Sequence, residues 1–124
     1  MINLTINKVH EDERRSIDVI PNLLTEGREF SIIRLNKGKA VGGCYHSDIE
    51  YFCIIKGKVF VVLGDKEGIM YPGMGDKILP NTPHMFEAVG EEAIIAEWGI
   101  KTVDKSLDKK DVKLKELVDK INNE

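Results

Sequence analysis

Cys44, His46 and Glu50 are side chains able to bind a metal or move a proton. They stand close together in the stretch GKAVGGCYHSDIEYFCIIKG, from Gly38 to Gly57. The rest of the stretch alternates like a pair of buried strands. In such a strand successive side chains lie on opposite faces, so Cys44 and His46 point one way and Tyr45 the other. Glu50, Phe52 and Ile54 share one face of the next strand, and Glu50 returns toward the first two across a turn at Ser47 and Asp48. A carboxylate aimed into an apolar interior is costly unless it is paired, hydrogen-bonded or bound to a cation. That cost is the physical reason to expect a metal. A second stretch, GMGDKILPNTPHMFEA from Gly73 to Ala88, carries His84.

Such residues need a frame that holds them together. From Glu29 the chain reads as short apolar or alternating runs: EFSIIRL, AVGGCYH, EYFCIIK, KVFVVLG, IMY, KILP, HMFEAV and AIIAEWG. Gly, Pro, Asn or Asp bounds each run, the pattern of an all-β sandwich or barrel. Residues 2–8 alternate Ile2, Leu4 and Ile6 with polar neighbours, which predicts an edge strand. Residues 10–24 are densely charged and then broken by Pro21, and read as irregular or short-stranded. Near the C-terminus Leu114, Leu117, Val118 and Ile121 fall at the spacing of one helix face. This predicts an amphipathic helix over about 108–122, docked on the outside of the barrel or against a second subunit.

The remaining chemistry-bearing residues have plainer readings. Phe86 and Trp98 read as core, and Cys53, opposite Phe52, as structural. Glu97 reads as an exposed residue at a strand end, with a base facing the cavity as the alternative. Arg14 and Arg15 read as solvated, unless one of them reaches an anionic ligand. Cys44 is either an inert buried residue or a thiolate ligand.

At 124 residues the chain fits one domain spanning 1–124, with a barrel core at about 28–100. The net charge of −3 comes from interspersed acids and bases, which points to neither nucleic acid nor a membrane surface as partner. The N-terminal residues lack a signal-peptide pattern, and no apolar run approaches the roughly 20 residues of a membrane span. A cytoplasmic location is expected. The two cysteines are too few for a disulfide framework, so free thiols are expected.

The spacing also resembles that of a known family, the cupins. Gly38, Cys44, His46, Glu50 and Gly57 stand at the positions of the family's first motif, with its first histidine replaced by Cys44. Gly73, Leu79, Asn81, His84 and Ala88 stand at the positions of the second; there Gly73 and His84 match. Asn81 can stand in for a turn glycine because asparagine tolerates the left-handed region. The resemblance implies an antiparallel jelly-roll β-barrel, here with a C-terminal amphipathic helix, that holds a divalent metal. His46, Glu50 and His84 occupy three ligand positions and Cys44 the fourth. With Cys44 the set favours zinc or iron; without it, two histidines and one carboxylate favour non-haem iron with open positions.

DERRSIDVI, GGCYHSDIEYFCIIKGKVFVVLGD, LPNTPHMFEA and AEWG add a weaker similarity to cupins of nucleotide-sugar and polysaccharide biosynthesis. It implies a small-molecule substrate and an isomerase or epimerase, with His46 and His84 as candidate bases or ligands. A metal-dependent oxygenase and a non-enzymatic small-molecule or metal-binding module are the other implied classes. The family also implies a homodimer.

Overall fold

The alternating runs pair into two antiparallel sheets, and their order interleaves distant parts of the chain. The structure is a computed structural model and describes residues 4–101 and 109–124. Its strands are β1 (Asn7–Glu11), β2 (Arg15–Pro21), β3 (Arg28–Leu35), β4 (Ala40–Tyr45), β5 (Glu50–Lys56), β6 (Val59–Leu63), β7 (Lys66–Met70), β8 (Gly75–Ile78), β9 (His84–Ala88), β10 (Ala93–Lys101) and β11 (Lys109–Lys110); the helix is α1 (Val112–Asn122). One sheet has six strands in the order β1-β2-β3-β10-β5-β8. The other has five, in the order β11-β4-β9-β6-β7. Strands far apart in sequence therefore lie side by side, as in a jelly roll.

The core lies between the sheets. Ile33, Leu35, Phe52, Ile54, Ile78 and Ile95 of the first sheet meet Val41, Val59, Val61, Phe86 and Ala88 of the second. Each of the larger of these contributes about 1.5–3 kcal/mol by leaving water. Phe52 and Phe86 pack edge to face across the gap, with ring centroids 4.9 Å apart. On the other face of the second sheet, Ala40, Val62 and Met85 form a smaller cluster with Val118 of α1.

That second cluster is where the C-terminal helix docks, on the outer surface of the second sheet. Asp111 caps its N-terminus by accepting from the Leu114 N–H at 2.9 Å. At the other end the Asn122 side chain exchanges hydrogen bonds with Ala40, at 2.7 and 3.0 Å. Gly43 makes the close approach possible, since a Cβ there would lie 2.8 Å from the Lys115 Cα. The helix is shorter than expected. Lys109 and Lys110 pair with Tyr45 and Cys44 as β11, and residue 108 lies outside the described residues. Leu117 is 39% exposed, so Leu114, Val118 and Ile121 alone carry the apolar stripe.

The N-terminal region also departs from expectation. Leu4 and Ile6 alternate correctly but are 42% and 68% exposed and belong to no strand, because nothing among the described residues pairs with them; Ile2 lies outside the described residues. The edge strand is β1, further along. The region read as irregular or short-stranded takes the second form, a hairpin: β1 turns at Asp12, whose carboxylate accepts from the N–H groups of Arg14 and Arg15, into β2. Pro21 ends β2, where a missing donor interrupts no further ladder. The sheet thus starts well before residue 28.

Candidate metal centre

His46, Glu50 and His84 come from three separate segments. His46 follows β4, Glu50 opens β5 and His84 opens β9. The two sheets meet here at one end, since β4 and β9 belong to one and β5 to the other. Each of the three side chains offers one ligand atom, and these atoms all lie within 4.8 Å of one another. His46 Nε2 is 3.3 Å from Glu50 Oε2. Two ligands of a tetrahedral ion held at about 2.1 Å lie about 3.4 Å apart, so this pair has ligand spacing. The two imidazole rings stand at 76° with centroids 5.3 Å apart. Glu50 is only 1% exposed.

Local backbone geometry orients both rings. His46 Nδ1 donates to the Asp48 carbonyl at 3.2 Å, and His84 Nδ1 donates to the Thr82 carbonyl at 3.0 Å. A carbonyl only accepts, so Nδ1 carries the proton in each ring, and in the neutral imidazole Nε2 presents its lone pair. This is the arrangement that fixes the tautomer of a metal-ligating histidine. The loops bearing the two carbonyls are tied together, because the Asn81 N–H donates to the His46 carbonyl at 2.7 Å. Asn81 has φ 62°, the left-handed conformation anticipated for the turn-glycine position. Asp48 is anchored in turn through the Lys101 N–H at 3.2 Å, with Arg28 at 3.9 Å.

The donor set suits a divalent cation: two neutral imidazoles and a buried carboxylate that needs positive charge nearby. Cys44 does not join it among the described residues. The register pairs Cys44 with His84, so both lie on the inner face, but a bulge between Gly42 and Cys44 shifts the strand at this point. Gly42 permits the contact between β4 and β9: at φ 113°, its Cβ would lie 2.5 Å from the His84 carbonyl oxygen. Both cysteines are free thiols, and Cys53 lies on the outer face of β5, opposite Phe52.

Several other residues sit differently from their sequence reading. Phe86 is core, but Trp98 is on the outer face of the six-stranded sheet, stacked between Phe30 and Tyr51 at 6.5 and 6.0 Å. Glu97 is in mid-strand rather than at a strand end, on the face that Ala93 and Ile95 bury. Arg14 is tied to Asp12 at 2.8 Å. Arg15 was missed. It shares the inner face of β2 with Ile17 and Val19, and the alternation of that short run was the signal for it. Burial draws the Arg15 pKa below its ordinary value and the Arg14 charge adds to this, while Asp12, Glu97 and Cys44 act in the opposite sense. The guanidinium stays charged nonetheless.

A groove of about 390 Å³ runs beside the centre, bordered by Leu63, Asn81, Thr82 and Pro83. Another, of about 350 Å³, lies between Gly57, Tyr71 and Val89 at the opposite end of β5 and contains none of the three candidate ligands. No helix among the described residues is long and apolar enough to cross a membrane.

No protein-family model and no curated protein sequence matches the chain. Solved structures do match. Oxalate decarboxylase from Bacillus subtilis superposes with a TM-score of 0.72 at 14% identity, over 87% of this chain and 30% of that one. An RmlC-like cupin from Shewanella frigidimarina gives 0.65 at 12% identity, over 83% and 87% of the two chains. A sugar phosphate isomerase of the cupin superfamily from Silicibacter pomeroyi gives 0.59 at 18%, over 69% and 60%. This chain thus spans less than a third of the length of the decarboxylase. At such identities the likeness is one of fold, and the shared fold is that of the cupins.

Proposed function

We propose that this cupin-fold chain holds a divalent metal through His46, Glu50 and His84 and acts on a small molecule at the open end of its sheets. One observation carries the reading. Both histidines commit Nδ1 to a backbone carbonyl, and one ligand atom from each ring lies with a buried carboxylate oxygen inside 4.8 Å, His46 through Nε2. A bound divalent ion supplies Lewis-acid polarisation of a substrate oxygen there. The chain's own part is to fix the ring orientations, to balance the ion's charge with Glu50, and to exclude water with Phe52 and Phe86 beneath.

The chemistry is an isomerisation or epimerisation of a sugar-type substrate. The likeness to a sugar phosphate isomerase supports this choice, and so does the sequence similarity around His46 and His84. Since Nε2 is the one ring nitrogen available in each histidine, a histidine that ligates the ion cannot also remove the substrate proton. A second reading, a non-haem iron oxygenase, is favoured by the donor set alone, since two histidines and one carboxylate without the Cys44 thiol leave open positions. We place the chain in the cytoplasm and pair it with a second copy of itself.

Metal analysis of protein purified without chelator tests the first step. The expected result is about one ion per chain in the wild type and loss of that ion in His84→Ala. Unchanged stoichiometry in the variant would remove His84 from the set. Deuterium wash-in at a keto-sugar carbon tests the second, and the absence of exchange across a panel of nucleotide keto-sugars would sink the isomerase reading. Oxygen uptake by iron-loaded protein would then favour the second.

A further inference from the structure

We propose that Arg15 is an oxyanion-binding residue inside the jelly roll, placed to take the carboxylate or phosphate group of the ligand. Arg15 lies on the face of β2 that carries Ile17 and Val19 toward the core, and its cross-strand partner is the fully buried Leu35. Its Nε has no accessible surface and no hydrogen-bond partner among the described residues. Neither of its terminal nitrogens makes a hydrogen bond or ion pair there, whereas Arg14 beside it takes Asp12.

An inward-facing guanidinium left in this state is expensive, because a buried unsatisfied donor costs about 1–3 kcal/mol and more when charged. A fold that only needed stability would place an apolar residue here, as it does two and four positions on at Ile17 and Val19. The acids acting on Arg15 from surrounding elements are Asp12 of the hairpin turn and Glu97 of β10, opposed by Arg14. Asp12 is already engaged by Arg14, His10 and two backbone N–H groups. The face of β2 that Arg15 shares with Ile17 packs on the core between the sheets, the interior at whose end the candidate metal centre lies.

The Nε and one terminal nitrogen of a guanidinium present two parallel N–H groups, the geometry that grips a carboxylate or phosphate edge. The ligand class is therefore a small molecule with an anionic group at one end, seated on Arg15. This does not depend on the metal, since Arg15 is no part of the donor set.

The test reads Arg15 directly. In chelator-treated, metal-free protein, the Arg15 Nε–H cross-peak in a nitrogen–proton correlation spectrum is followed during titration with malonate and, separately, with inorganic phosphate. The expected result is a saturable shift of that cross-peak with at least one anion, and which anion binds more tightly distinguishes the two sources. Arg15→Gln should weaken binding by about tenfold or more, followed through backbone resonances of β2 and β10, and Arg15→Lys should weaken it less. A cross-peak unmoved by both anions would overturn the proposal, as would Arg15→Gln binding as tightly as wild type. Because the first readout needs no variant, the test survives a variant that fails to fold. Metal content is measured separately, so failure of the metal reading and failure of this one remain distinguishable.

Discussion

His46 and His84 are oriented by carbonyls of their own loops, at Asp48 and Thr82, whereas Cys44 approaches the same region only as the cross-strand neighbour of His84. A ligand whose orientation is fixed by a second hydrogen bond binds with little entropy left to lose, and Cys44 has no such support among the described residues. Cys44→Ser should therefore leave the metal stoichiometry at its wild-type value, measured by elemental analysis on protein purified in parallel. A loss of metal in Cys44→Ser would put the thiol back in the donor set. Much of this was legible in the sequence, because alternation brings His46 and Glu50 together and the resemblance to the cupin motifs adds His84. The status of Cys44 was not legible. A single extra residue in β4, the bulge at Gly43, shifts the strand locally, and no periodicity announces it. Arg15 was hidden for a different reason: a charged residue in a run of charges reads as solvated until the pairing of β2 with β3 shows which face it occupies.

The elements matter to the site through close backbone approach. β4 can lie against β9 at His84 only because Gly42 has no side chain, and its φ of 113° would strain any L-residue. Gly42→Ala is expected to push the strands apart there. The cost should be about 1–3 kcal/mol of stability in denaturant unfolding, and a weaker metal affinity should accompany it. Unchanged stability and affinity would mean that the approach of these strands does not position His84. The strand pattern from Glu29 onward was readable because every run is short, apolar and bounded by turn residues. Lys66 to Gly68 lie outside those runs yet belong to β7, because the hairpin closes on Gly64 and Asp65. The N-terminal hairpin was harder to read, since a local carboxylate cap at Asp12 and pairing with β3, both invisible to period counting, decide its shape. Val118 and Ile121 do what their spacing predicted, while β11 is too short to leave a pattern.

At the scale of the whole molecule, α1 covers the outer face of one sheet and no element covers the other among the described residues. The outer face of the six-stranded sheet carries Ile20, Phe30, Trp98 and Tyr51 in one cross-strand row, with Ile32, Ala96 and Cys53 in the next. We assign the proposed second copy to this face rather than to the edge strand β1. Sedimentation of Trp98→Glu should then show monomer where the wild type shows dimer. A wild type that is monomeric, or a variant that stays dimeric, would contradict that assignment. The central claim is the three-residue metal centre, and anomalous diffraction from metal-loaded crystals tests it most directly. The account predicts one anomalous peak within bonding distance, about 2.0–2.2 Å, of His46 Nε2, Glu50 and His84 Nε2, with the Cys44 sulfur outside its coordination sphere. A fully loaded protein with its peak elsewhere, or with Cys44 bound in place of one of the three, would contradict it.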